Sequence, residues 1–348
     1  MLLYIHIPFC DSKCFYCSFN SYTKKHYLKK EYIKALLKQL DFELKKIKKN
    51  EIESIFIGGG TPSTLEANYY EEIFKKIEPY LKKDIEITIE ANPNSVKKEW
   101  LRDIKSLGLN RVSFGVQSFD EKKLKFLGRA HSSKEAISVV ENAFSVGFEN
   151  ISIDLIYETI LDTKELLEKD IKIALNLPIN HISAYALTLE ENTPFFNRKD
   201  VKKDDDSLGY FIAGLITKKF PQYEISNFGL YKSKHNLGYW MLKDYIGVGA
   251  GAVGFYKNQR FYTQNSLEDY IKNPTKKEVE NLTNEDLITE KIFLGFRSIV
   301  GVKKSILNES MLKRAQILIK NGKIYEKDKK LYNKNLFLAD EISLYILQ

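Results

Sequence analysis

Leu2-Leu-Tyr-Ile-His-Ile-Pro-Phe-Cys10-Asp-Ser-Lys-Cys14-Phe-Tyr-Cys17 contains the only three cysteines of this 348-residue chain, all within eight consecutive positions. An odd number of thiols packed this closely cannot supply a disulfide framework that braces a fold. Thiolates are soft ligands, suited to zinc or to iron–sulfur clusters. Structural zinc takes four protein ligands, so a zinc site here would need a further donor such as His6. A cubane [4Fe-4S] cluster normally takes four cysteines, and three leave one iron open to a ligand from outside the chain. The cluster is preferred over zinc completed by His6 and over three buried structural thiols. Leu2 to Ile7 reads as a short buried strand, so the thiol loop sits at a strand's carboxyl end.

Working outward, the strand–loop–helix unit recurs. Tyr32, Ile33, Leu36, Leu37, Leu40, Leu44 and Ile47 follow three-and-four spacing, which predicts an amphipathic helix over 29–47. Further strands are predicted at 54–57, 85–90, 111–116, 151–157 and 181–187, with helices after each of them. Six such units imply parallel strands joined by right-handed crossovers, and hence an α/β fold: a partial (β/α)6, TIM-like barrel open at one side. The loops at the carboxyl ends of parallel barrel strands carry the active site. Cys10, Gly59, Glu90, Gln117 and Asp154 fall at or near the carboxyl ends of five successive strands and are expected to meet at one mouth. After Glu190 the texture changes to a charged stretch, Lys199–Asp206, and then to a helix over 208–220. The barrel is therefore assigned to 1–225. A smaller, mainly helical, winged-helix-like domain is assigned to 226–348, with helices at 282–298 and 302–321 and a hairpin near Lys323 and Leu331.

Composition narrows the function classes. With 43% hydrophobic and 13% aromatic residues the chain can bury a sizeable core, and no apolar run reaches bilayer length. The lead before Cys10 has no basic segment of a signal or transit peptide, so a soluble, cytoplasmic protein is expected. The net charge of +8 arises from 54 basic against 46 acidic residues, mostly lysines on helical segments, as on solvated helix faces. No arginine-rich or aromatic-interleaved basic stripe appears, so nucleic acid is not an expected partner.

The spacing C-x3-C-x2-C, with an aromatic before the last cysteine, resembles the signature of the radical S-adenosylmethionine (SAM) superfamily. More of the chain resembles the oxygen-independent coproporphyrinogen III oxidase (HemN-like) family, and most closely its heme-chaperone branch. That likeness is carried by Tyr4–Cys10, Gly58-Gly-Gly-Thr-Pro62, Glu90-Ala-Asn-Pro93, Ser113–Phe119, Leu127-Gly-Arg-Ala-His131, Ile153–Tyr157, His235-Asn-Leu-Gly-Tyr-Trp240 and Phe337-Leu-Ala-Asp340. The resemblance implies a [4Fe-4S] cluster on Cys10, Cys14 and Cys17, with SAM on the open iron. It implies SAM contacts from Gly59, Gly60 and Thr61, from Glu90 and Gln117 on ribose or methionine, from Arg129 on the carboxylate, and from Asp154 beyond. Tyr16 is expected by the adenine and Tyr4 near the cluster.

Three departures separate the branches. The dehydrogenases of the family carry another cysteine two positions after the third one, where this chain has Phe19, and they have a longer N-terminal lead. His235-Asn-x-x-Tyr-Trp240 resembles the motif associated with heme in the chaperone branch, which makes His235 the candidate heme ligand. The implied function is a heme chaperone that passes heme to acceptor hemoproteins, including membrane-associated respiratory enzymes. The enzyme alternative is oxidative decarboxylation of coproporphyrinogen III, and whether the chain is an enzyme, or a homodimer, is left open. One departure has no assigned meaning: the family continues Gly-Leu-Pro-Gly after Tyr157, whereas this chain has Glu158-Thr-Ile-Leu161.

Overall fold

The computed structural model describes residues 1–348. The first half alternates as the periodicity predicts: β1 (Leu2–Ile7), α1 (Lys29–Leu44), β2 (Ile52–Gly59), α2 (Ala67–Ile77), β3 (Leu81–Ala91), α3 (Lys98–Ser106) and β4 (Arg111–Gln117). Then come α4 (Glu121–Phe126), α5 (Ser133–Ser145), β5 (Asn150–Tyr157), α6 (Lys164–Asn176), β6 (His181–Ala186) and α7 (Ser207–Ile216). Consecutive strands from β1 to β6 pair in parallel.

Because side chains alternate across a strand, each strand has two distinct faces. Leu3, Ile5, Ile55, Ile57, Ile89, Phe114, Ile153 and Ile182 pack with Leu36, Leu40, Ile73, Val140 and Ile171 of the surrounding helices in one apolar core. The opposite faces line the barrel interior and are polar. Arg111 bonds Thr88, Ser113 bonds Asp154, Ser152 bonds His181, and Tyr4 bonds His6. The oily layer thus lies outside the strands, and the hydrogen-bonding groups needed for chemistry lie inside.

The sheet runs on past residue 225, into the segment assigned to the smaller domain. β7 (Asn227–Gly229) pairs antiparallel with β6, then α8 (Lys234–Trp240) leads to β8 (Tyr245–Val248), which pairs parallel with β1. β9 (Val253–Tyr256), β10 (Gln259–Thr263), α9 (Leu267–Lys272) and β11 (Lys277–Asn281) follow, giving eleven strands in the order β11-β10-β9-β8-β1-β2-β3-β4-β5-β6-β7. The physical reason is that both edges of a six-stranded sheet carry unpaired backbone groups, and this segment covers them. Its strands are short and its turn glycine-rich, so no period-2 pattern marks them. A Cβ on Gly247 would sit only 2.0 Å from the Val253 carbonyl oxygen, so β8 and β9 meet where a side chain cannot fit.

The second core begins later than the sequence suggests, with Thr283. It comprises α10 (Asn284–Phe296), β12 (Val302–Lys303), α11 (Glu309–Lys320), β13 (Ile324–Lys327), β14 (Lys330–Asn333) and α12 (Ala339–Leu347). Thr283 and Asp286 form a capping box that starts α10. Ile292, Phe296, Val302, Ala315, Leu331 and Ile342 make a separate apolar cluster, and the small sheet orders as β12-β14-β13. Helix, strand, helix and hairpin in this order match the winged-helix-like expectation. No helix is long and apolar enough to cross a membrane.

Candidate functional site

The thiol loop leaves β1 and is closed at its base by Tyr22, whose N–H donates to Pro8 O at 2.8 Å while Cys10 N–H donates to Tyr22 O at 3.2 Å. Asn20 clamps the far side, its side-chain amide donating to the Ala250 and Asn265 carbonyls at 3.0 and 2.9 Å. Phe15 N–H donates to Leu127 O, which fastens the loop to the end of α4. Backbone and amide bonds from three parts of the fold therefore hold the loop without using a thiol.

Cys10, Cys14 and Cys17 all line one cavity of about 410 Å³ at the carboxyl ends of the strands. The same cavity is lined by Tyr16, Gly59, Gly60, Thr61, Glu90, Gln117, Arg129 and Asp154. The convergence expected of Cys10, Gly59, Glu90, Gln117 and Asp154 is present. No three His, Cys, Asp or Glu side chains are grouped so as to hold a single metal ion. Zinc needs its donors about 2.3 Å from one centre, whereas a cubane presents a separate iron to each thiolate. His6 cannot complete a zinc site, because Nδ1 is bonded to the Tyr4 hydroxyl at 3.0 Å and Nε2 to Asn20 O at 2.9 Å.

The glycine turn is shaped by its neighbours. Gly59 has φ +118°, and a Cβ there would lie 2.6 Å from the His6 ring; a Cβ on Gly60 would lie 2.8 Å from Phe9 O and 3.1 Å from Cys10 Sγ. Only bare backbone fits between the thiol loop and β2. Thr61 adds its hydroxyl 3.2 Å from Cys10 Sγ and accepts from the Asn92 amide at 3.0 Å. Three sulfur donors beside this cradle fit a cluster, and the open cavity next to them fits a small cofactor.

Arg129 is the cation beside the thiols. Its Nη1 is 3.3 Å from Cys14 Sγ, and its Nη2 donates to Asn92 Oδ1 at 2.8 Å and to Gly115 O at 2.6 Å. Nε is buried and unpartnered. The expected pairing with a cofactor carboxylate thus competes with contacts to the protein, which aim the guanidinium at the thiol loop. Burial pushes the Cys10 and Cys17 thiols up, so metal binding must displace their protons.

Two carboxylates share the opposite wall. Glu90 is pushed up to about 8, first by burial and then by Asp154, while the Gly59 N–H, 3.3 Å from Oε2, and Arg111 oppose the shift. Burial also raises Asp154, against hydrogen bonds from Ser183 and Ser113. Gln117 sits at φ +68°, a conformation that costs a non-glycine residue about 1 kcal/mol or more. Tyr4 differs from expectation: it does not line the cavity but lies behind it, bonded to His6 and stacked on Phe56.

His235 lies away from the cavity. α8 plugs the amino-terminal end of the barrel, opposite the mouth, with Gly238 against Leu2. Glu86 accepts from Lys234 N–H at 2.8 Å and His235 N–H at 3.0 Å, capping the helix's free donors. The His235 ring has no exposed surface; its Nδ1 is 2.9 Å from Ser54 Oγ, and its faces meet Phe56 and Tyr239. Burial and Arg111 pull it down to about 3, so it is neutral. The ring has no surface open to a macrocycle here, its Nε2 is buried without a partner, and Tyr239 packs against it within the fold. His235→Ala is expected to lower the unfolding free energy by about 2 kcal/mol, through an unsatisfied Ser54 and lost packing. Urea titration checks this. Unchanged stability with lost heme binding would restore His235 as a ligand.

Sequence reasoning did not single out Asn92, Asn20 or Tyr185. Asn92 was visible inside the Glu90–Pro93 motif, and it joins Thr61 to Arg129. Tyr185 lines the cavity from β6, 42% exposed, with nothing in its sequence context to mark it. The departure at Glu158–Leu161 is accommodated locally: Thr159 N–H and Oγ1 both donate to Asp162 Oδ2, at 2.8 and 2.9 Å.

A three-thiol loop at the mouth of an open parallel barrel, facing a glycine cradle and paired carboxylates, defines a radical SAM protein. The Radical SAM superfamily description matches residues 4–169. The chain is 36% identical to the heme chaperone HemW of Lactococcus lactis subsp. lactis (strain IL1403) over 86% of this chain and 82% of that one. It is 35% identical to the heme chaperone HemW of Bacillus subtilis (strain 168) over 86% and 84%. Among solved structures, coproporphyrinogen III oxidase (HemN) from Escherichia coli aligns over 99% of this chain and 89% of that one, with a TM-score of 0.82 and 21% identity, a likeness of fold. The chain belongs to the HemW family of the radical SAM superfamily. That superfamily implies a [4Fe-4S] cluster and SAM, and the donor set described above fits both.

Proposed function

We propose that this chain handles heme: it binds heme as cargo, carries a [4Fe-4S] cluster with SAM, and delivers the heme to acceptor hemoproteins. The observation that carries the reading is the intact cysteine-and-carboxylate cavity in a chain whose relatives are named heme chaperones. Cys10, Cys14 and Cys17 hold the cluster. Gly59, Gly60 and Thr61 offer backbone and hydroxyl contacts to SAM, Glu90, Gln117 and Asp154 take its polar groups, and Tyr16 borders the same space. Arg129 places its guanidinium 3.3 Å from Cys14 Sγ, beside the thiol loop. A reduced cluster supplies the electron for reductive cleavage of the SAM sulfonium.

The rival activity, coproporphyrinogen III decarboxylation, uses the same cavity. Phe19 lines that cavity with an exposed ring where the dehydrogenases carry their further cysteine, so this chain offers no fourth thiol there. The test is anaerobic. Reconstituted protein with SAM and dithionite is given coproporphyrinogen III, and in parallel hemin followed by an apo-hemoprotein acceptor. Stoichiometric heme binding and transfer without porphyrin product supports the proposal; protoporphyrinogen over many turnovers overturns it.

SAM binding should be pH-dependent. SAM brings a sulfonium cation, which favours ionised Glu90, so affinity is expected to rise as pH climbs toward 8, by up to about tenfold per unit below it. Glu90→Gln should flatten the profile in calorimetric titrations of the reconstituted protein, and a flat wild-type profile would contradict the assignment. The linkage to folding has the opposite sign. The folded chain holds the Glu90 proton above its ordinary 4.5, so this group's contribution to stability is present below 4.5 and is lost as pH rises to about 8.

A further inference from the structure

Arg111 opens β4, and its side chain is a cation sealed in the barrel core beneath the cavity, 2% exposed. Strand register sets its place. Arg111 lies opposite Thr88 of β3, and Glu90 stands two residues further along the same face, opposite Ser113. Asp154 lies opposite Gly115 and accepts from Ser113 Oγ at 3.3 Å. Arg111 therefore starts one layer below Glu90 and two layers below Asp154, and it does not line the cavity itself.

Its own contacts leave the charge unanswered. Nη1 lies 3.4 Å from Thr88 Oγ1, and Nε is buried without a partner. Lys123, the fully buried cation on α4, has carboxylates at 2.5 and 4.0 Å, whereas no carboxylate comes that near Arg111. A guanidinium keeps its proton inside a protein, and a buried charge persists only where something compensates it.

The groups around it show which ones can do so. His181 of β6 and His235 of α8 are neutral rings, pushed down first by burial and then by Arg111. Tyr223 and Tyr231 carry phenols that burial holds protonated. Glu86, lower on β3, accepts from the Tyr231 and Ser233 hydroxyls and from the Lys234 and His235 N–H groups at 2.8–3.2 Å, so its oxygens are already served by the start of α8. Glu90 and Asp154 remain. Burial raises both carboxyls, and Arg111 opposes the rise in both. Tyr4, Tyr185 and Tyr239 face the same pair, but burial keeps their phenols protonated, and Arg129 reaches Asp154 from the mouth. We propose that Arg111 is a positioning residue for the cofactor: from the core it is the counter-charge of the Glu90–Asp154 pair, and it holds a negative charge on the cavity wall for a cationic sulfonium. This rests on the SAM reading above and adds a residue that touches neither the cavity nor the cofactor.

The test uses the full-length protein in two states. In the cluster-free chain, infrared titration follows the protonated-carboxyl band of Glu90, identified by its absence in Glu90→Gln. In the reconstituted chain, calorimetry gives SAM affinity against pH. Arg111→Met is expected to move both profiles up by about one pH unit, which at pH 7 reads as SAM binding about tenfold weaker. Arg111→Gln, which keeps a donor for Thr88, carries the same expectation should Arg111→Met fail to fold. An affinity lowered equally at every pH, with the Glu90 band titrating as in the wild type, would mean that Arg111 only packs the core, and the proposal would fall. A wild-type chain that binds no SAM, while the band still moves in the variants, overturns the SAM reading and leaves Arg111 as the counter-charge of the pair.

Discussion

Cys14→Ala is expected to lose the cluster outright: iron near zero per chain after anaerobic reconstitution, no broad visible absorption, and no measurable SAM binding. Three thiolates are all that this chain can offer, since there is no fourth cysteine and His6 is committed to Tyr4 and Asn20. Two thiolates cannot replace the three that a site-differentiated cubane requires. Fold loss is not the expected cause. The loop is held by Asn20, Tyr22 and the Phe15–Leu127 bond, none of which involves Cys14. Far-ultraviolet circular dichroism of the variant should therefore match the wild type. A variant that keeps full iron and its absorption would show that another donor completes the cluster, and the assignment of Cys14 would fall.

How much of this was legible follows from which interactions are local. β1 to β6 and their helices announce themselves through apolar periodicity, because each buries one face against a neighbour a few dozen residues away. The site residues were legible for a related reason: carboxyl-end positions are fixed once strand ends are known, and Cys10, Gly59, Glu90, Gln117 and Asp154 do share a cavity. What failed was tertiary. β8 joins β1 across more than two hundred residues through a four-residue strand, too short to show alternation. The burial of His235 was hidden for the same reason. Its motif looks like a ligand with aromatic flanks, but Glu86, Ser54 and Phe56, which bury it, lie on distant strands. Tyr4 failed more simply, since a strand residue beside the thiol loop can face the interior behind the cavity.

The second large effect lies beneath the mouth, where Lys123→Ala should lower the unfolding free energy by about 3–5 kcal/mol. Lys123 is fully buried on α4, with Nζ 2.5 Å from Asp162 Oδ1 and 4.0 Å from Asp170 Oδ2. Asp170 also accepts from Ser118 Oγ at 2.6 Å and Phe119 N–H at 2.8 Å, and Asp162 accepts from Thr159. One cation thus neutralises two buried carboxylates that tie the exit of β4 to the exit of β5. Without it both carboxylates are buried unpaired, and their alternatives are protonation or exposure. Burial already holds the Asp170 carboxyl above its usual range even with Lys123 beside it. Removing the cation raises the Asp170 carboxyl further, so the variant's deficit should be largest at pH 8 and shrink as pH falls toward 5. Urea unfolding at the two pH values measures this directly. Lys123→Met/Asp162→Asn, which removes the cation together with one of its carboxylates, should recover part of the loss. Gln117 stands at the head of the same β4 exit, so SAM affinity should weaken in Lys123→Ala and return in the double variant. A pH-independent deficit would mean that Lys123 acts through packing of its stem, not through its charge.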